Sequence, residues 1–135
     1  MKLITSDDKK IVEIGKSDYV FCFYSTVFIN LSKISSKISL ALDFLKTGEC
    51  KGVDGYEIAR QFNLIRDGLS QLSTDKIVYN MSDLHLKAPW SNNISPVVTS
   101  CGNFFTTPEG KDFIFEINTI LCYAKIKGVD VSIQQ

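Results

Sequence analysis

Between Asp54 and Leu72 the apolar residues Ile58, Phe62, Ile65, Leu69 and Leu72 recur at steps of four, three, four and three. That spacing paints one face of an α-helix apolar. A helix with such a face must bury it, so the stretch commits the chain to a packed helical layer. The stripe is too short for a coiled coil, which needs three or four heptads, and reads as a core-facing helix. Asp54 stands three residues before Glu57, an Asp form of the capping box, and is expected to start the helix. Phe62 and Ile65 are expected in the core. Gln61 and Asn63, off the stripe, are expected on the surface.

The flanking sequence supplies the other layer. Lys2–Thr5 and Ile11–Ile14 are rich in β-branched residues, with a polar Ser6–Lys10 between them, and suit a β-hairpin or a single strand after a loose start. Ser17–Lys33 has strand-like composition but helix-like periodicity: Val20, Tyr24, Val27, Leu31, Ile34 and Ile38 recur at three- and four-residue steps. The periodicity predicts a helix, capped by Ser17, with Asp18 at its positive end. A further helix over Ile38–Lys46 stops at Gly48. Ile77–Tyr79 reads as a short strand. Thr107, Pro108 and Glu109 resemble a helix start, and the last helix carries Phe113, Ile117, Ile120, Leu121 and Ala124 inward and closes at Gly128. Val129, Val131 and Ile133 alternate with polar residues, as in a half-buried strand. Helices grouped between strands predict an α+β two-layer sandwich, with about four helices on one face of a small mixed sheet. Ile77–Tyr79, the last helix and the last strand are candidates for a right-handed βαβ crossover.

A chain of 135 residues fits one domain spanning residues 1–135. Its 15 basic and 15 acidic residues cancel, which argues against non-specific nucleic-acid binding. The N-terminus MKLITSDDKK lacks the apolar core of a signal peptide. Tyr19–Leu31, the longest apolar run, falls short of the roughly 20 residues a bilayer requires. These features lead us to expect a soluble cytoplasmic protein with reduced thiols and no membrane partner. Cys22 and Cys122 lie in apolar runs and are expected to be buried.

The sequence carries little that resembles chemistry. With four dispersed cysteines and a single His, ordinary zinc spacing is absent, and no phosphate loop, nucleophile elbow or dinucleotide motif occurs. No cofactor, metal or catalytic residue is expected, and His85 has no cysteine near it in sequence. The segment Lys87–Phe113, "KAPWSNNISPVVTSCGNFFTTPEGKDF", is the least generic part of the chain. Trp90, with Asn92 and Asn93 nearby, is a candidate contact residue, because Trp is over-represented among binding hot spots. It is equally a candidate to plug a gap beneath the loop. Asp83, His85 and Lys87 would share one face of an extended segment, either as a polar contact face or as a solvated strand end.

Several segments stand together from about Ile11 to the C-terminus: "EIGKSDYVFCFYSTVFINL", "LDFLKTGE", "IRDGLSQLSTDKIVYNMSDL", "PWSNNISP" and "FFTTPEGKDF", with "STV", "PWxxNIS" and "FxTxxGKD" in that order. Together they resemble the immunity protein 70 family of bacterial immunity proteins. The resemblance implies a non-enzymatic inhibitor that binds and neutralises, in the cytoplasm, a cognate toxin domain. That domain would be the C-terminal part of a large secreted protein of a polymorphic-toxin or contact-dependent growth-inhibition system. Many such toxins are nucleases, so clustered carboxylates would be expected to face a basic cleft. Asp83 near Trp90, and Asp54, Glu57 and Asp67 on the third helix, are the candidates. The alternative is a small adaptor or homodimerising domain with no toxin partner. In the immunity reading Lys87–Thr107 forms a long ordered loop, held by Trp90, Phe104 and Phe105, that supports the sheet edge or joins the contact face.

Overall fold

A computed structural model describes residues 1–90 and 93–135. Strands β1 (Lys2–Thr5) and β2 (Ile11–Glu13) form the expected hairpin, with Leu3 opposite Val12. Helices α1 (Ser17–Asn30) and α2 (Ser39–Thr47) follow, separated by 3₁₀ turns over Ser32–Lys37. Next come β3 (Glu49–Cys50), α3 (Gly55–Leu69), α4 (Phe113–Lys127) and β4 (Val131–Gln134). The sheet order is β2-β1-β4-β3.

The architecture is α+β. All three strand pairings are antiparallel, however, so the sheet is not mixed. Leu3 and Thr5 are fully buried, and they sit opposite Ile133 and Val131 of β4. Pairing in this register puts Leu3, Thr5, Val12, Val131 and Ile133 on one side of the sheet. Helix α4 packs on β1, β2 and β4, α3 packs on α4, and α2 packs on α3. Phe62, Ile65 and Leu69 of α3 meet Phe113, Ile117, Ile120 and Leu121 of α4 in the same buried cluster, as the stripe predicts.

Several sequence expectations are corrected. Ile77–Tyr79 is not a strand, and no βαβ crossover forms. Its Val78 backbone is bonded to the Thr26 side chain, so it has no need of a neighbouring strand. Ser17 does not cap α1: extended Lys16 holds the N-cap position and makes no side-chain bond. Asp54 makes no capping bond either. It ends a 3₁₀ turn, Gly52–Asp54, that leads straight into α3, while Glu57 is taken up by Arg60 and Gln61. The 3₁₀ turn sits hard against α4. A Cβ on Gly52 would lie 1.9 Å from the Val129 carbonyl oxygen, and one on Gly55 would lie 2.3 Å from that of Leu121.

The last helix starts later than Thr107. Thr107–Gly110 is a turn in which the Gly110 N–H donates to the Thr107 carbonyl at 2.8 Å and the Thr107 N–H donates to the Lys111 carbonyl at 2.7 Å. Gly110 takes φ +80°, and Thr106 and Asp112 form a β-bridge. Thr-Pro-Glu-Gly suits such a turn as well as a helix start, because proline's φ serves both. Asp112 is the cap in fact: its carboxylate accepts from the Phe115 N–H at 2.8 Å. Gly48 and Gly128, both left-handed, end α2 and α4 where expected.

All four cysteines are free; Cys22 and Cys101 are buried, whereas Cys50 and Cys122 are half-buried. Cys122 was expected inside, but its position falls on the outward side of α4, between the exposed Phe115 and Ile126. Gln61, expected on the surface, is also inside, and its side-chain carbonyl accepts from the buried Ala41 N–H at 3.0 Å. No helix among the described residues is long and apolar enough to cross a membrane.

Candidate partner-binding surface

Helix α1 is apolar on nearly every side, yet Ser25 and Thr26 lie fully buried in its middle. A buried hydroxyl needs partners. These find theirs in the chain that follows α3. The Thr26 hydroxyl donates to the Val78 carbonyl at 3.2 Å and accepts from the Val78 N–H at 2.9 Å. The Ser25 Oγ accepts from the Met81 N–H at 3.1 Å. One turn on, Asn30 donates from Nδ2 to the Lys76 carbonyl at 2.9 Å. The Tyr79 hydroxyl donates to Asp18 at 2.9 Å, which pushes its own proton loss to higher pH. Residues 76–81 are thus laced along α1 by side chains rather than by a sheet.

The segment beyond is held by aromatic packing and by its own turn. Phe105 is buried and packs edge-on against Phe23, centroids 5.0 Å apart, and Phe104 packs edge-on against Phe105 at 4.9 Å. Trp90 is half-buried between Tyr19 (5.5 Å) and Tyr79 (5.6 Å). Its indole N–H is closed off from solvent and finds no acceptor among the described residues. Ser100 and Asn103 form a capping box around the turn Cys101–Asn103, and the Cys101 N–H donates to the Leu72 carbonyl at 2.9 Å. The described parts of the 87–107 loop are therefore anchored at Trp90, Phe104 and Phe105, the three residues expected to hold it, and residues 91 and 92 lie outside the described residues.

Two apolar hollows flank the laced strip. One, of about 520 Å³, lies between Ile29 of α1 and the loop residues Leu84, Leu86, Trp90, Ile94 and Phe104. The other, of about 580 Å³, is lined by Phe21, Tyr24 and Phe28 of α1 with Leu45 and Met81. The three aromatic rings along α1 stack at 6.4 and 6.0 Å. Leu84 is 61% exposed, Leu86 47%, Phe28 46% and Ile29 42%, so both the outer face of α1 and the loop present a band of exposed apolar side chains. Clustered exposed apolar side chains are a common mark of an interaction site.

The predicted contact residues divide into two groups. Asp83, His85 and Asn93 are exposed in the loop. Asp83 and His85 do not extend along one face: the His85 N–H donates to the Asp83 carboxylate at 3.1 Å and the Leu86 N–H to the Asp83 carbonyl at 3.2 Å, which curls the chain into a turn. Asn92 lies outside the described residues. Asp54, Glu57 and Asp67 are exposed on α3. Glu57 is not a free carboxylate: Arg60 donates to it from Nε at 2.9 Å and from Nη2 at 2.6 Å, and chiefly this holds its pKa at about 2. No hydrogen bond or ion pair among the described residues joins the α3 acids to Asp83. The apolar band was missed because its members are scattered in sequence. The one available signal was Ser25-Thr26, two hydroxyls inside an apolar helical run.

Sequence comparison speaks at the level of family. No curated protein and no solved structure matches the chain. A family model described as immunity protein 70 matches residues 5–133, nearly the whole length. That span takes in the hydroxyl pair of α1, the laced strip, the anchored loop and the Asp112 cap, and the chain belongs to the immunity protein 70 family.

Proposed function

We propose that this protein is an inhibitor that binds a cognate toxin domain in the cytoplasm and neutralises it by direct, non-enzymatic contact. Family membership supports the role. The observation that carries the choice of surface is the band of exposed apolar side chains along α1 and the loop, built on a strip that α1 pins in place. A pinned surface loses little conformational entropy on association, which favours affinity. Trp90, Leu84, Leu86 and Phe28 are the proposed anchors. Binding would rest on a few of them, over an interface of roughly 1,200–2,000 Å².

The proposed toxin is a nuclease-type domain at the C-terminus of a large secreted protein. Asp75 and Lys87 both line the loop hollow, and the exposed Asp83 directly precedes Leu84 in the chain, so carboxylates are available near the apolar anchors. Carboxylates there would meet the cationic groups a nuclease needs for phosphate, and would speed association. The α3 acids are a weaker choice, since Glu57 is already paired. Co-expression with the toxin encoded beside this protein tests the proposal. Protection by the wild type and its loss in a folded Leu84→Asp, Leu86→Asp double variant are expected. Full protection by that variant would move the contact elsewhere.

A further inference from the structure

Helix α4, FIFEINTILCYAKIK, is apolar on nearly every side. Helices of that kind are normally covered all round. Among the described residues this one is buried on the side that carries Phe113, Ile117, Ile120, Leu121 and Ala124 and half-covered on its flanks at Asn118 and Tyr123. On the opposite side Phe115, Thr119, Cys122 and Ile126 follow at steps of four, three and four, the spacing of a two-helix seam. Phe115 is 61% exposed and Ile126 69%. None of these four lines the hollows beside α1.

We propose that this stripe is a self-association seam, on which α4 of a second copy packs antiparallel about a twofold axis. The stripe is self-complementary in that direction. Phe115 falls opposite the partner's Ile126, and Thr119 opposite the partner's Cys122, so large residues meet at the ends and small ones at the crossing. Charge follows the same sense. Glu116 and Lys127 lie on the same flank of the stripe, where Lys10 and Asp7 both stand beside Tyr123 and offset each other. Antiparallel packing sets each Glu116 against the partner's Lys127, twice by symmetry. The two helix dipoles also oppose in the antiparallel arrangement. A twofold interface of this kind uses the same patch on both copies.

The seam is short. Fifteen residues span about 22 Å, and a standard interface takes roughly 800 Å² from each partner. Val53, 69% exposed, borders the seam at its basic end, where it shares a hollow with Lys125 and Gly128. The dimer is therefore expected to be weak, with a Kd on the order of 10–100 µM. It is independent of the immunity reading, because it uses a different face.

Sedimentation equilibrium of the full chain across that concentration range tests the proposal. A monomer–dimer equilibrium is expected in the wild type. Phe115→Asp and Ile126→Asp should each weaken it by at least about tenfold while leaving the circular dichroism spectrum intact, because both side chains already stand in solvent. Thr119→Cys should form an intermolecular disulfide with the partner's Cys122 under mild oxidation, which fixes the antiparallel register. A monomeric wild type would overturn the proposal. So would an unchanged dimer in both Asp variants, or failure of the Thr119→Cys protein to cross-link. If both Asp variants instead lose toxin binding and the wild type never dimerises, the face belongs to the toxin and the self-association seam is wrong.

Discussion

The Thr26 side chain and the Val78 backbone satisfy each other completely: one hydroxyl accepts the Val78 N–H at 2.9 Å and donates to the Val78 carbonyl at 3.2 Å. A strand neighbour would normally provide those two bonds. Here a helix side chain does so. Thr26→Val keeps the shape and removes both partners. It should cost about 1–3 kcal/mol, the penalty of leaving buried backbone groups unpaired. Urea melts measure it, and faster amide exchange at Val78 would accompany the loss. A change below about 0.5 kcal/mol would show that the strip is held otherwise.

The same reasoning applies to Gln61. Its buried carbonyl is the partner of the Ala41 N–H at the start of α2. Gln61→Ala should cost about 1–3 kcal/mol, whereas Asn63→Ala, bonded only to Asn118 at the surface, should stay within about 0.5 kcal/mol. Phe62→Ala and Ile65→Ala should cost about 2–5 kcal/mol each, as emptied core positions. Equal losses at positions 61 and 63 in urea melts would contradict the buried role of Gln61.

Thiol chemistry should separate the cysteines. Burial pushes the Cys22 thiol up to about 12 and that of Cys101 up to about 11. Both also lack access, and the thiolate is the reacting form. At pH 8 a thiol reagent should leave Cys22 and Cys101 untouched until urea is added and should reach half-exposed Cys122 first. Prompt labelling of Cys22 in the native protein would contradict the packing of α1.

Acid should reveal the Glu57–Arg60 pair. Glu57 has a folded pKa of about 2 against an ordinary 4.5. A depressed carboxyl stabilises the fold above its ordinary pKa and loses that contribution as pH falls toward the folded value. The wild-type melting temperature should therefore drop more steeply than that of Glu57→Gln between about pH 5 and pH 2. Both groups are exposed, so the difference should be small and should shrink further in high salt. Parallel curves would show that the pair does not persist in solution.

How legible was the fold? Periodicity served well wherever one residue's burial is decided by its own helix face, as for Ile58, Phe62, Ile65 and Leu69, or for Ile117, Ile120 and Ala124. It failed where a partner from far along the chain decides. Val78 lost its strand to Thr26, 52 residues away. Gln61 went inside because Ala41 needed an acceptor. Thr107-Pro108 satisfies the local rules for two structures, and Gly110 with the Asp112 cap decided for the turn. The candidate surface was legible only in part. Trp90 and the loop stood out by composition, but Phe21, Phe28 and Ile29, off the predicted stripe of α1, carried no signal that they line the hollows with Met81, Leu84 and Leu86.

The central claim is that the face of α1 and the loop captures a toxin domain. Isothermal titration of the purified protein with the neighbour-encoded toxin domain tests it most directly, comparing wild type with the folded Leu84→Asp, Leu86→Asp double variant. The account predicts tight 1:1 binding per chain by the wild type, with a Kd at or below about 10 nM, and at least about a hundredfold loss in the variant. Equal affinities for the two proteins would contradict the assigned face, and no binding by the wild type would contradict the immunity role itself.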